Sequence, residues 1–245
     1  MRRTAVLPGR TMTAAGLGLD YFQIYDLATK PADAVVHVKG RFDSRRVLTR
    51  LSVLEYFATP VSKNGETVHD RHAHLTWYTG VDPAQPIRQV ILENQLGRFR
   101  VCTGAGNGLL VPTQKIEQGS RYPETLDHYR VYRLTDVETV QRTSVNLRDQ
   151  FGASTLRILA PVYLAVPVEK RHDAKAIPIR NETAHLLLFA VTTLAVVERL
   201  RVRIWNQFDK RKSLALLRAV MLAVPSAMGE WKVRSKKVRT TVSNG

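Results

Sequence analysis

Three histidines fall within six positions of the chain, in the run His69-Asp70-Arg71-His72-Ala73-His74. Imidazoles are common ligands of zinc, copper and nickel. On a strand, His72 and His74 share a face, and His69 can swing in from the turn before them. His69, His72 and His74 therefore form the one metal-like cluster and would centre a metal-dependent enzyme. A second constellation is cationic. In Arg199-Leu200-Arg201-Val202-Arg203-Ile204-Trp205, three arginines alternate with apolar residues. A strand would place Arg199, Arg201 and Arg203 on one face, about 7 Å apart. Trp205 comes next on that face, and Lys210, Arg211 and Lys212 follow at the turn. Guanidinium forks match phosphate and carboxylate, and an indole stacks on a base or sugar, so this set points to a polyanion: nucleic acid, anionic polymer or lipid. The competing reading is a solvated strand face, or an arginine edge that discourages aggregation.

Other catalytic groupings are thinner. Cys102 is the single cysteine and has no histidine at a recognisable spacing. No GxSxG elbow is present. Asp136, Glu138 and Asp149 could supply paired carboxylates, yet they fall at expected turns and strand ends. The glycine-rich run Thr103-Gly104-Ala105-Gly106-Asn107-Gly108 lacks the strand, helix and spacing of a phosphate-cradling loop and reads as a flexible hairpin tip. His74 also aligns with His128 and His185, which gives it a structural slot. These groupings exclude no chemistry outright, but the reading they favour has no enzyme activity and no cofactor.

The elements that must carry these residues repeat four times. The cleanest copy runs from Asp127 to Lys170. It opens on the aromatic strand Asp127-His128-Tyr129-Arg130-Val131-Tyr132, passes through an alternating run to Asp149-Gln150-Phe151-Gly152, and closes on Ala165-Val166-Pro167-Val168-Glu169-Lys170. Phe42, Leu96, Phe151 and Phe208 are 54, 55 and 57 residues apart. Pro60, Pro112, Pro167 and Pro225 are 52, 55 and 58 apart. A sustained period of this kind signals a repeat architecture. Strand phase survives in each middle run, through Val36/Val38, Val90/Leu92, Val145/Leu147 and Val202/Ile204, so each presents an apolar face to a core. Tyr25, Tyr78, Tyr132 and Phe189 are the equivalent aromatic anchors. Ser213–Val224 has a helix-prone composition, but its counterparts read as strands, and the repeat favours a strand there as well.

These landmarks resemble a tandem-repeat family of unknown function whose units follow H-[YFL]-x-x-Y, then [ND]-Q-F-G, then P-x-x-L-x-[VN]-P-x-x-K. Asn94-Gln95-Leu96-Gly97 and Leu110-Val111-Pro112-Thr113-Gln114-Lys115 match closely, and the resemblance covers about residues 19 to 230. It implies a fold and no activity. It also implies a bacterial secreted or surface setting, where many units carry a cysteine in the opening strand and another before the closing proline. Here those slots hold Ile24 and Ala58, Trp77 and Leu110, Val131 and Ala165, and Leu188 and Ala223.

A chain of 245 residues with 44% hydrophobic residues builds globular cores. The predicted fold is all-β: four tandem repeats of three to four strands, packed as one or two antiparallel sandwiches or barrels. Residues 1–18 form an arm, 19–117 hold repeats one and two, 127–230 hold repeats three and four, and 231–245 form a basic tail. Glu117–Thr125 is the connection between the halves. A net charge of +16 suits a polyanionic neighbour. One cysteine excludes an intramolecular disulfide. The apolar run Leu186–Val197 is shorter than the ~20 residues of a transmembrane helix, and the N-terminus has no signal-peptide apolar run. The functional expectation is a non-enzymatic structural or interaction repeat protein, a subunit of a surface or multi-protein assembly with other protein subunits as partners. Polyanion binding through repeat four comes second, and a metal enzyme at the histidine cluster third.

Overall fold

Alternation of apolar and polar side chains fixes the local structure, and the fold follows from where the alternating faces meet. The computed structural model describes residues 14–83, 85–137, 143–172, 175–193 and 200–230. Each copy has an opening strand followed by a hairpin whose second strand runs on into the closing segment. Copy one comprises β1 (Tyr21–Gly40), which fuses the opening strand to the hairpin, and β2 (Val47–Lys63). Copy two comprises β3 (His74–Val81), β4 (Arg88–Asn94) and β5 (Gly97–Lys115). Copy three comprises β6 (His128–Val137), β7 (Thr143–Asp149) and β8 (Gly152–His172), trailed by the short β9 (Lys175–Ile177). Copy four comprises β10 (His185–Thr193), β11 (Arg201–Trp205) and β12 (Lys210–Glu230). A single helical turn, α1 (Ala14–Leu17), precedes them.

Opening and closing segments alternate around a ring. β1, β2, β3, β5, β6, β8, β10 and β12 pair antiparallel in that order, and β12 returns to β1. The strands on either side of the 117–125 connection are paired directly, so 19–117 and 127–230 close one barrel together. Closure removes the edges that an open sheet would expose. The interior is a filled core that holds Phe22, Ile24, Leu75, Trp77, Tyr129, Val131, Leu186 and Leu188. The eight slots where the resemblance implies cysteine in other units all lie in it. Ile24 faces Ala58, Trp77 faces Leu110, Val131 faces Ala165 and Leu188 faces Ala223 across neighbouring strands. Three of these pairs set a large side chain against alanine, which fits a narrow lumen.

The hairpins pack on the outer face of the ring in two groups. Those of copies two and three cover one side and those of copies one and four the other. Each hairpin also adds a short ladder to the closing strand two copies away. β1 reaches β8 (His37↔Arg171 to Gly40↔Val168), and β4 reaches β12 (Glu93↔Ala227). β7 reaches β2 (Leu147↔Lys63), and β11 reaches β5 (Trp205↔Gln114). Copy four keeps this pattern. Ser213–Val224 lies wholly within β12, where Leu214 and Leu216 join the outer core and Met221 and Ala223 the interior. Tertiary context overrides its helix-prone composition.

The glycine-rich run differs from the expectation of a flexible hairpin tip. Thr103–Gly108 lies inside β5, where the hairpin half bends into the ring half and the register against β6 shifts. A Cβ on Gly106 would overlap the Asp82 carboxylate. Gly108 takes φ +104, and a Cβ there would overlap the Tyr78 carbonyl. The glycines let backbone and side chains approach more closely than any other residue would allow.

Candidate functional site

The histidine run is built as a turn. The Asp20 carboxylate accepts the backbone N–H groups of His69 (2.8 Å) and Asp70 (2.9 Å), and Asp70 in turn accepts that of His72 (2.9 Å). His69 is exposed, His72 half-buried and His74 buried. His74 stacks on Phe57 with centroids 5.4 Å apart. Burial, with the charges of Lys115 and His72 adding, pushes its imidazole down to about 3. No group of three or more His, Cys, Asp or Glu side chains gathers as a metal site among the described residues. His128 and His185 occupy the same slot in copies three and four. Burial lowers both, His128 well below the ordinary value and His185 to about 4. These are neutral wedges at the start of each opening strand. Asp127 repeats the Asp20 clamp on the next connection, accepting the N–H groups of Arg180 (2.8 Å) and Asn181 (2.9 Å). The aspartate one or two positions before the opening aromatic is the sequence signal for this clamp.

The aromatic anchors meet the turn of the hairpin that reaches over from two copies away. The Tyr25 hydroxyl donates to Asp149 at 2.7 Å, and its ring meets Phe151 edge-on at 5.5 Å. The Tyr78 hydroxyl donates to Asp209 at 2.6 Å, and its ring meets Phe208 at 5.2 Å. Burial first, then the adjacent carboxylate, holds both phenols well above the ordinary tyrosine range. Copy one has Gly40 where copy three has Asp149, and its Asp43, which follows Phe42 as Asp209 follows Phe208, is engaged by Arg130 and the Gly40 N–H, so the lock around Tyr132 is incomplete. Its ring meets Phe42 at 5.3 Å, but its hydroxyl donates to no carboxylate, and the Arg130 guanidinium lies 5.2 Å from its ring. A buried ionic cluster stands there instead. Arg130, whose side chain is fully buried, donates to Asp82 (2.8 Å) and Asp43 (2.9 Å), and Asp43 also accepts the Gly40 N–H (2.9 Å). The closing lysines complete the pattern: Lys115 lies over Phe151 and Lys170 over Phe208. Of the carboxylates considered for acid–base work, Asp149 is engaged with Tyr25, Asp136 is exposed on β6, and Glu138 lies outside the described residues. Cys102 is buried in β5.

The cationic face is partly assembled. Arg199 lies outside the described residues. On β11, Arg201, Arg203 and Trp205 are exposed and alternate with buried Val202 and Ile204, as the sequence predicts. Lys210 stands opposite Trp205 in the ladder. Contrary to a place at the turn, Arg211 lies in β12, where it takes φ 56 at a bulge opposite Ile204 and Trp205, and Lys212 pairs with Asp209 at 2.7 Å. Trp205 meets Tyr122 edge-on, with centroids 5.4 Å apart.

A sequence family described as a repeat of unknown function (DUF7450) matches residues 74–225. This chain belongs to that family. The match starts at the first residue of β3 and ends at the closing proline of copy four, so it falls on copies two, three and four. Copy one lies before it and follows the same strand path. No curated protein and no solved structure matches the chain. Among the described residues no helix is long and apolar enough to cross a membrane, and the described part of the apolar run Leu186–Val197 belongs to β10, in the ring.

Proposed function

We propose that this DUF7450 protein is a non-enzymatic interaction scaffold, a subunit of a surface or multi-protein assembly. The supporting observation is where its reactive side-chain types are engaged. His74, His128 and His185 are buried wedges, Tyr25 and Tyr78 hold hairpins from other copies, and Arg130 is buried between Asp43 and Asp82. Side chains of the kind that run catalysis thus join the units, and the varied, charged exterior is left for recognition. The test is recovery of tagged chain from its native source under a stringent salt wash. Stoichiometric companion proteins are expected, and a chain that elutes alone as a monomer overturns the reading.

Polyanion binding is a second reading, favoured by one observation: Arg201 and Arg203 project from β11 beside exposed Trp205 and form no salt bridge within the described residues. Counterion release would make such binding fall steeply with salt. Retention on an immobilised polyanion should drop when Arg201→Gln and Arg203→Gln are combined, and equal retention of both proteins would remove this surface from consideration.

A further inference from the structure

A cavity of about 830 Å³ opens where the connections before copies three and four meet the end of β11. Its volume falls in the range of small-molecule sites. Two of its walls are aromatic: Trp205 and Tyr122 meet at 84°, forming a corner. Trp205 is 38% exposed, one of few large apolar side chains left open among the described residues. An indole face presented at the mouth of a cavity can take a flat ring by stacking. Among the described residues, Lys175, Arg180 and Glu124 line it with exposed side chains. A guanidinium fork beside an ammonium suits the oxygens of a phosphate monoester. The site is partly organised in advance. Asp127 fixes the backbone at Arg180 and Asn181. Arg180 lines the cavity together with Tyr122 and Trp205. Buried His128 lines the cavity too, and its Nδ1 has no hydrogen-bond partner, as in the equivalent His74 and His185.

We propose that this cavity binds a nucleoside monophosphate or a close equivalent, with the planar ring on Trp205 and the phosphate held by Arg180 and Lys175. The site shares Trp205 with the polyanion reading but needs neither Arg201 nor Arg203. The test is calorimetric titration of the full chain with adenosine monophosphate, adenosine and inorganic phosphate. The monophosphate is expected to saturate one site at millimolar concentration or below, with adenosine and phosphate each weaker by about tenfold or more, the weight of one lost group contact. The double variant Arg180→Gln, Lys175→Gln should lose monophosphate binding at an unchanged melting temperature, since both side chains are exposed. The Arg201→Gln, Arg203→Gln variant should keep it while losing retention on a polyanion, so either surface can fail independently. No saturable monophosphate binding, equal binding of adenosine, or undiminished binding by the Arg180/Lys175 variant overturns the proposal.

Discussion

Three tyrosines in equivalent positions carry two different local accounts of the same hydroxyl. Tyr25 and Tyr78 donate to half-buried carboxylates, and Tyr132 donates to nothing. Removing a satisfied donor strands its acceptor, which costs about 1–3 kcal/mol, and removing an unsatisfied one costs nothing. Tyr25→Phe and Tyr78→Phe should therefore lower the urea midpoint, while Tyr132→Phe should leave it unchanged or raise it. Equal losses at all three positions would sink this account. The buried imidazoles predict a pH dependence. His74, His128 and His185 stay neutral in the folded protein well below the ordinary histidine value of 6.5. The unfolded chain then binds more protons as the pH falls, so stability is full above that value and declines from there towards about 4 and 3, where His185 and His74 charge in the folded state. Near pH 5 the slope approaches three protons, roughly 4 kcal/mol per pH unit. The raised carboxyls of Asp20, Asp127 and Asp149 act in the opposite sense at the bottom of the range. Urea midpoints across this range check the slope, and a flat profile refutes it. The anchors and histidine slots were legible as repeated residue types. Their partners were not, because a residue's contact two copies away leaves no trace in local spacing.

Strand phase was legible for the same reason that register is strict: a slip of one residue would turn every apolar side chain outward. The Val202/Ile204 alternation, for example, predicts correctly which side chains of β11 are buried. The glycines of β5 were misread, because composition alone does not distinguish a loose tip from a crowded bend. Gly106 separates the two in practice. A methyl group there displaces Asp82 and strips Arg130 of one partner, and breaking a buried ion pair costs on the order of 3–5 kcal/mol. Gly106→Ala should thus be severely destabilising in thermal melts. Gly229→Ala should be nearly neutral, since nothing lies within 4 Å of the added carbon. A mild effect at Gly106 would show that the ionic cluster yields easily. The candidate cavity was the least legible feature. Trp205 stood out by type, but Tyr122, Lys170 and Arg180 come from separate connections and strands that only ring closure brings together.

At the scale of the molecule, copy four and copy one are neighbours like any other two. β12 pairs with β1 through Phe22↔Ala223, just as β2 pairs with β3 through Ala58↔Leu75. The chain's own ends are then incidental to the ring. A circular permutant opened within 117–125, with Glu230 joined to Ala14 by a linker of about ten residues so that buried Leu17 is kept, should fold cooperatively with a melting temperature near that of the parent. A chain stopped before β11 lacks both the ring-closing strand and the hairpin that clasps β5, and it should not. Circular dichroism melts distinguish these outcomes, and an unfolded permutant would show that the order of the copies matters. Closure also sets a timescale. Phe22 must find Ala223, 201 positions away, before the barrel is whole. Contacts so distant make folding slow. The reverse holds too, because no strand can peel away until the hairpin from two copies further on lets go. The half-life of the native state should therefore exceed what its equilibrium stability implies, and this chain, with no cross-link, would persist among proteases by opening rarely.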